Sequence, residues 1–576
     1  MKRFSPCLLS ALLFALAHPS FPHLHLEFLE WVWMVPLLRA LRDARGWGGV
    51  LWRVTPTVFL GWALVMSWLL WATIAGSVLL FFVGAFVYTM PLVAFHFLHQ
   101  RLGWRVALWS LPLVWTGWEW LYHQTPGAIA WLSLGLPQSR LWWLIQFADV
   151  TGQWGVTFWV VLVNVAIADC GLRPKPLNAD RGKFPNDAVP CLGNVSWKFA
   201  IRNSQAAICL LLIFGLPLGY STFRWLEHTR TESDELSLLL VQPNINPWTK
   251  AGPETRDAEL RRLLAMTNRA LRRQVDSADS AKSAAPPDLI LWPEVAIPFA
   301  LTQDHQTRAL VARNVAHWQT PLLAGAYDLR QYADPAARPP LLKFQNRDSE
   351  LFNAAFLLTP NADGVAISAP YHKQKLMPFV EQVPFAERWP ALSNWMVDFG
   401  ASNAIDPGIE SNLFAVPTRT GRRAVIAAVI CYEQFFPAHL AGLVRRGGEM
   451  IAVLSNVGWF SQSHGQHQIA AFLRMRAIES HRTIVCAANT GQTTVIDPLG
   501  RVQAEAPWWS PQTLSSRARL SSTLSFYVRH PDWLPKVCVL LTLALLLAAL
   551  GARLVAGIRR SRRVAYSPFD FQQEEL

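Results

Sequence analysis

Three residue types that together can carry out acyl transfer stand just beyond apolar runs of this sequence: the carboxylate of Glu294, the ammonium of Lys373 and the thiol of Cys431. A thiol is a weak nucleophile until it loses its proton, with an unperturbed pKa of about 8.5. A carboxylate beside it can take that proton as the new bond forms. An ammonium can hold the charge that develops on a thiolate or on a carbonyl oxygen. Taken singly, each residue has an ordinary reading. A strand-end Cys is commonly a small buried hydrophobe, a Glu after Trp-Pro can cap a turn, and a Lys among polar neighbours is commonly solvated. Only the set supplies base, electrostatic stabiliser and nucleophile.

The local sequence says what must position them. Glu294 closes Asp288-Leu-Ile-Leu-Trp-Pro-Glu294, and Cys431 closes Ala424-Val-Ile-Ala-Ala-Val-Ile-Cys431. Lys373 lies in Tyr371-His-Lys-Gln-Lys-Leu-Met-Pro-Phe379, just after another β-branched run. Side chains just past strand ends sit where α/β folds usually place ligands. Strands are predicted at 237–245, 288–294, 321–327, 352–358, 365–371, 424–430, 450–455, 483–489 and 493–496, with helices at 254–275, 306–316, 437–446 and 466–480. This alternation predicts an α/β domain. No solenoid repeat is visible.

The rest of the chain is a different material. Of its 576 residues, 52% are hydrophobic and only 16% charged, and 28 are Trp. Typical soluble proteins are about 25% charged, and Trp is enriched at membrane interfaces. Apolar segments near 6–20, 26–41, 55–75, 78–98, 104–122, 153–170, 204–222 and 536–557 predict about eight transmembrane helices. The first, preceded by Lys2 and Arg3, could be taken for a signal peptide, but no small-residue cleavage site follows. The net charge is +13, and its basic residues fall mostly between apolar segments, which suits anionic lipid and not nucleic acid. Arg39, Arg42, Arg45 and Arg53, Arg101 and Arg105, Arg173 to Arg202, and Arg553 to Arg563 mark alternate loops. The positive-inside rule puts these in the cytoplasm and the long segment outside. The expected division is 1–225, a bundle of seven helices; 226–533, an extracytoplasmic catalytic domain; 534–558, the last helix; and 559–576, a cytoplasmic tail. Seven scattered cysteines with no CxxC pair argue against a disulfide framework or a zinc cluster.

Trp292-Pro-Glu294, the Lys373 segment and Ile430-Cys431-Tyr-Glu433 resemble the three signatures of the nitrilase superfamily. More narrowly, the chain resembles the apolipoprotein N-acyltransferase family of the bacterial inner membrane. The match runs through residues 8–21, Trp118-Glu-Trp-Leu121, Ala130-Trp-Leu-Ser-Leu-Gly135, Thr151-Gly-Gln-Trp-Gly155, Val241-Gln-Pro-Asn-Ile245, Lys373 to Phe385, Ser455-Asn-Val-Gly-Trp-Phe460, Arg474 to Glu479 and Ala488-Asn-Thr-Gly491. The resemblance implies an αββα sandwich carried on the membrane bundle. It also implies the reaction. Cys431 would attack an acyl ester of a phospholipid, phosphatidylethanolamine being the expected donor, and the thioester would pass its chain to the N-terminal amine of a diacylglyceryl-cysteine on an apolipoprotein. Glu294 would be the base and Lys373 would hold the oxyanion. Glu381, which read alone is a solvated charge, would support the site, and Tyr432 and Glu433 would shape it beside the nucleophile. Trp248, Asn456 and Trp459 are candidate substrate contacts. Neither cofactor nor metal is expected, and the chain is expected to act as a monomer in the bilayer.

The sequence departs from the family in places. Val380 stands where Gly is usual, Val457 stands at an acidic position, and Trp248 lies about three residues before the family's lipid-contacting Trp. Trp389, Trp395, Trp508 and Trp509 either dip into the membrane interface or pack in their own domain. Two rival functions use the same residues differently: a membrane-tethered amidase with water as acceptor, and a non-catalytic transporter or scaffold. The second fits poorly with the few ionisable residues inside the spans, Glu119 and Asp169.

Overall fold

The computed structural model describes all residues except 1–4, 21–23, 43, 45, 72, 172–194, 231–232, 249–252, 277–284, 396–404 and 566–576. The expected basic residues Arg173, Lys175, Arg181 and Lys183, and the middle of the polar stretch 274–286, lie outside the described residues.

The N-terminal part is helical. Among the described residues, five helical stretches are long and apolar enough to cross a membrane: Gly46–Val65, Gly76–Leu102, Gln153–Cys170, Ile208–Arg230 and Trp533–Ala552. Helices Ser5–Ala17, Met34–Arg42 and Trp104–His123 fall on the other three predicted segments, but they are shorter or less apolar, so five of the eight expected spans have that length and character among the described residues. Several limits differ from expectation; the seventh helix, expected near 204–222, runs Val195–Arg230. The second segment is broken, with a 3-10 turn at Glu27–Trp31 before the helix. The third helix begins nine residues early, at Gly46, and gives way after Val65 to the 3-10 turn Ser67–Trp71. The reason is visible in packing. Trp68 is 1% exposed and lies against Phe460 at 4.7 Å, so the chain leaves the helix to dock on the other half of the molecule. The last helix continues to Ala565, because Arg559 to Val564 adds no helix breaker to the apolar run.

The α/β part holds two sheets. Its strands are β1 (Glu235–Gln242), β2 (Leu289–Leu291), β3 (Ile297–Ala300), β4 (Leu322–Gln331), β5 (Ser349–Asn361), β6 (Gly364–Ile367), β7 (Tyr371–His372), β8 (Phe414–Pro417), β9 (Arg423–Ile430), β10 (Met450–Ser455), β11 (Ile484–Ala488), β12 (Thr494–Ile496), β13 (Val502–Glu505) and β14 (Gln512–Arg519). The first sheet runs β14-β1-β2-β4-β5-β6, with β3 on β4 and β7 on β5; the second runs β13-β12-β11-β10-β9-β8. Side-chain alternation sorts the layers. Leu238 and Leu240 join the core shared with the second sheet, while Leu239 and Val241 face helices Pro253–Asp276 and His305–Trp318. Helices Pro437–Arg445 and Gly465–Ser480 pack on the second sheet through Leu440, Leu443, Leu473 and Ala477. The predicted strand at 365–371 is two pieces, β6 and β7, and β3, β8, β13 and β14 were not predicted.

Bundle and α/β part share one hydrophobic cluster. Phe14, Trp62 and Trp115 of the bundle are continuous with Tyr432, Phe435, Val457, Phe460 and Phe472. Val457 is 1% exposed in that cluster, which explains a valine at this position: a carboxylate there would lie unpaired among apolar side chains.

Candidate active site

Glu294 follows β2, Lys373 follows β7 and Cys431 follows β9, so the sandwich brings one residue from each of three strand ends to a common edge. The Lys373 Nζ donates to Glu294 Oε1 at 3.1 Å and to Glu381 Oε1 at 2.7 Å. Asn353 Nδ2 donates to the same Glu294 oxygen at 2.8 Å. The Cys431 sulfur lies 3.8 Å from Ser455 Oγ, and the Asn456 backbone N–H favours its thiolate form. Glu294, Lys373, Glu381 and Cys431 line one cavity of about 260 Å³. Its walls include Ile245, Met377, Val380, Ile405, Trp459 and Phe460, so a charged floor lies under largely apolar sides.

The backbone is strained to achieve this. Cys431 has φ 47° and Val295, next to Glu294, has φ 48°, a region that L-residues and especially β-branched ones avoid. The loop of Glu294 also presses on β4: a Cβ at Gly325 would come within 2.6 Å of Pro293 O and 2.8 Å of Glu294 Cα. Only glycine tolerates that approach.

Glu433 locks two of the three loops together. It is fully buried and accepts from the backbone N–H groups of Ile430 at 2.7 Å and Gln374 at 2.7 Å, and from the Tyr371 hydroxyl at 2.8 Å. The loop before the nucleophile and the loop carrying Lys373 thus hang on one carboxylate. Tyr432 faces another way. Its hydroxyl donates to Ala128 O at 2.7 Å and accepts from Ala130 N at 3.1 Å, stitching the site to the bundle. Asn456 and Trp459 line the cavity. Trp248 does not; its ring stands edge-on to the cavity-lining Trp459 at 5.4 Å. Trp508 stacks on His467 at 4.5 Å and packs within its own domain, whereas Trp389 and Trp395 are 56% and 68% exposed. Sequence reasoning missed Asn353, Gly325, Arg256 and Glu259; Asn353 sits in a strand with no motif to mark it.

The charges fit a neutral resting thiol. Burial, and then the Glu294 carboxylate, push Cys431 up to about 12. Burial also raises Glu294, helped by Glu381 and opposed by Lys373. Burial opposes the Lys373 ammonium, but Glu294, Glu381 and Cys431 outweigh it and hold its pKa well above the lysine value. The thiol therefore gives up its proton to Glu294 during attack, not beforehand. A pH profile of acyl-enzyme formation should show one ascending limb with its midpoint above 4.5, and no further inflection below about pH 10. The base is lost as pH falls through the raised Glu294 value, while the ammonium stays charged. Glu381→Gln should move the midpoint down, because the second carboxylate is what opposes ionisation alongside burial. A midpoint that Glu381→Gln leaves in place, or that lies below 4.5, would contradict this.

A family described as carbon-nitrogen hydrolase matches residues 240–525, and the apolipoprotein N-acyltransferase N-terminal domain matches residues 10–166. The apolipoprotein N-acyltransferase of Chlorobaculum tepidum is 33% identical over 545 residues, covering 93% of this chain and 95% of its own. This chain belongs to the apolipoprotein N-acyltransferase family. The apolipoprotein N-acyltransferase of Geobacter metallireducens is 27% identical over 430 residues, 75% of this chain and 72% of its own. Among solved structures, Saccharomyces cerevisiae Nit3 of the nitrilase superfamily is similar at 16% identity and TM-score 0.34, covering 50% of this chain and 90% of that one. As an apolipoprotein N-acyltransferase family member, the chain is a membrane acyltransferase with a nitrilase-like α/β part and a nitrilase-type cysteine.

Proposed function

We propose that the chain takes an acyl chain from a membrane phospholipid as a thioester on Cys431 and passes it to the N-terminal amine of a diacylglyceryl-cysteine on an apolipoprotein. The observation that carries this reading is the floor of the cavity: a thiol, an ammonium and two carboxylates under apolar walls, some of whose residues pack on the bundle. In the first half-reaction the sulfur attacks the ester carbonyl and Glu294 takes the thiol proton. Lys373 faces the developing oxyanion. Collapse expels the lysophospholipid alkoxide, which leaves with that proton. In the second half-reaction the amine attacks the thioester, Glu294 takes the amine proton, and the thiol is restored as the amide forms.

The membrane is part of the mechanism. Both substrates hold acyl chains in the bilayer with about 0.8 kcal/mol per buried methylene, so the cavity must be reachable from lipid. Met377, Tyr432 and Phe460 line it and also pack on the bundle cluster. Exposed Phe385 and Trp389 lie on the same stretch as Pro384, whose ring would lie 3.8 Å from a Cβ placed on Gly127 in the loop after helix Trp104–His123. We read the chain as eight spans with both termini in the cytoplasm, and the α/β part on the outer face of a bacterial inner membrane, acting as a monomer with phosphatidylethanolamine as donor. The basic loops support that orientation.

The amidase rival differs in the acceptor. Purified protein preloaded with labelled acyl chain from phosphatidylethanolamine is mixed with a diacylglyceryl-cysteine peptide. Transfer to the peptide amine should exceed release as free fatty acid by at least about tenfold. Release to water regardless of the peptide would point to hydrolysis and sink the proposal.

A further inference from the structure

Helix Pro253–Asp276 belongs to no motif, yet two of its charged residues, Arg256 and Glu259, line the same cavity as Cys431. They stand three residues apart, so they are neighbours on one face of the helix. Among the described residues, Arg256 is the only cation lining that cavity besides Lys373, and Lys373 is 2% exposed and already bonded to Glu294 and Glu381. Arg256 makes no hydrogen bond or ion pair among the described residues and is exposed. It nevertheless lies within electrostatic reach of Tyr327, the same side chain that feels Glu294, Glu381 and Lys373. A guanidinium with no hydrogen-bond partner among the described residues thus stands over the cavity of the reacting groups, within electrostatic reach of the Glu259 carboxylate.

A glycerophospholipid has matching parts. Its ester must reach the sulfur, its chains need apolar walls, and its phosphate lies only a few bonds from the ester. We propose that Arg256 and Glu259 form a head-group subsite for a zwitterionic acyl donor. The Arg256 guanidinium takes the phosphate, for which its planar fork is suited, and the Glu259 carboxylate takes the primary ammonium. Met377, Val380, Ile405 and Trp459 are left for the chain. Arg256 and Glu259 are specificity residues here, since neither acts on the reacting bond. The inference rests on the phospholipid-donor reading above.

The test is single-turnover acylation of the full-length protein in detergent micelles by three donors: phosphatidylethanolamine, phosphatidylglycerol and the phosphate-free ester p-nitrophenyl palmitate. Arg256→Ala should lower the ratio of kcat/KM for either phospholipid over the phosphate-free ester about tenfold, through KM, the size expected for one charged contact. Arg256→Lys should recover part of it. Glu259→Gln should reduce the preference for ethanolamine over glycerol while leaving the phospholipid-to-ester ratio for phosphatidylglycerol in place. Equal losses with all three donors, or no change in either ratio, would overturn the subsite. Failure of the donor reading looks different: the wild type would be acylated by p-nitrophenyl palmitate and by neither phospholipid.

Discussion

Cys431→Ala is expected to eliminate acyl-enzyme formation, a loss of about 10⁴-fold or more, as for removal of other covalent nucleophiles. Cys431→Ser should fare little better. The site is built to leave the thiol protonated until attack, with burial and Glu294 pushing it up to about 12. A hydroxyl, intrinsically more basic, would present Glu294 with a proton it cannot readily remove. Cys486→Ala is the control. Cys486 is fully buried in β11, one strand from β10, and makes no wall of the cavity. The check is hydroxylamine-sensitive label on the purified protein after exposure to labelled phosphatidylethanolamine. Retained label in Cys431→Ala would place the thioester elsewhere.

Lys373→Ala should be the next most damaging change. The ammonium, 2% exposed, sits between the Glu294 and Glu381 carboxylates. Removing it leaves the buried Glu294 carboxylate facing the half-buried Glu381 carboxylate, and one must take up a proton. Glu294 then ceases to be a base while the oxyanion loses its partner, and acylation should fall about 10³-fold. Breaking a buried pair from one side costs about 3–5 kcal/mol, so the thermal midpoint should fall too. The double variant Lys373→Met with Glu381→Gln separates the two effects. It removes one charge of each sign, so stability should return in part while acylation does not. Recovery of acylation in the double variant would mean that Lys373 serves only to neutralise Glu381.

The strand ends were legible because β2 and β9 are continuous apolar runs that stop at a polar residue, as strands buried on both faces do. Glu294 and Cys431 are the stopping residues. Lys373 was legible only through its motif, since β7 is two residues long. What stayed hidden depends on contacts between distant segments. Asn353 reaches Glu294 across 59 residues. Tyr432 bonds to Ala128 across 304 residues, which no local pattern encodes. Trp248 illustrates the converse. Its type and position suggested a lipid contact; it is not among the residues lining the cavity, and its ring packs edge-on against Trp459, which is. The early end of the third helix follows from docking of Trp68 on Phe460, again a tertiary effect on a segment whose hydropathy alone allows several registers.

The most direct test of a thioester on one thiol is mass mapping of the acylated protein. After brief exposure to a phosphatidylethanolamine of defined chains and proteolysis, the peptide bearing Cys431 should gain the mass of one acyl group less a hydrogen, and neutral hydroxylamine should remove it. The added mass on a peptide bearing Cys486 or Ser455, or no added mass on any peptide while the phospholipid is consumed, would contradict the account.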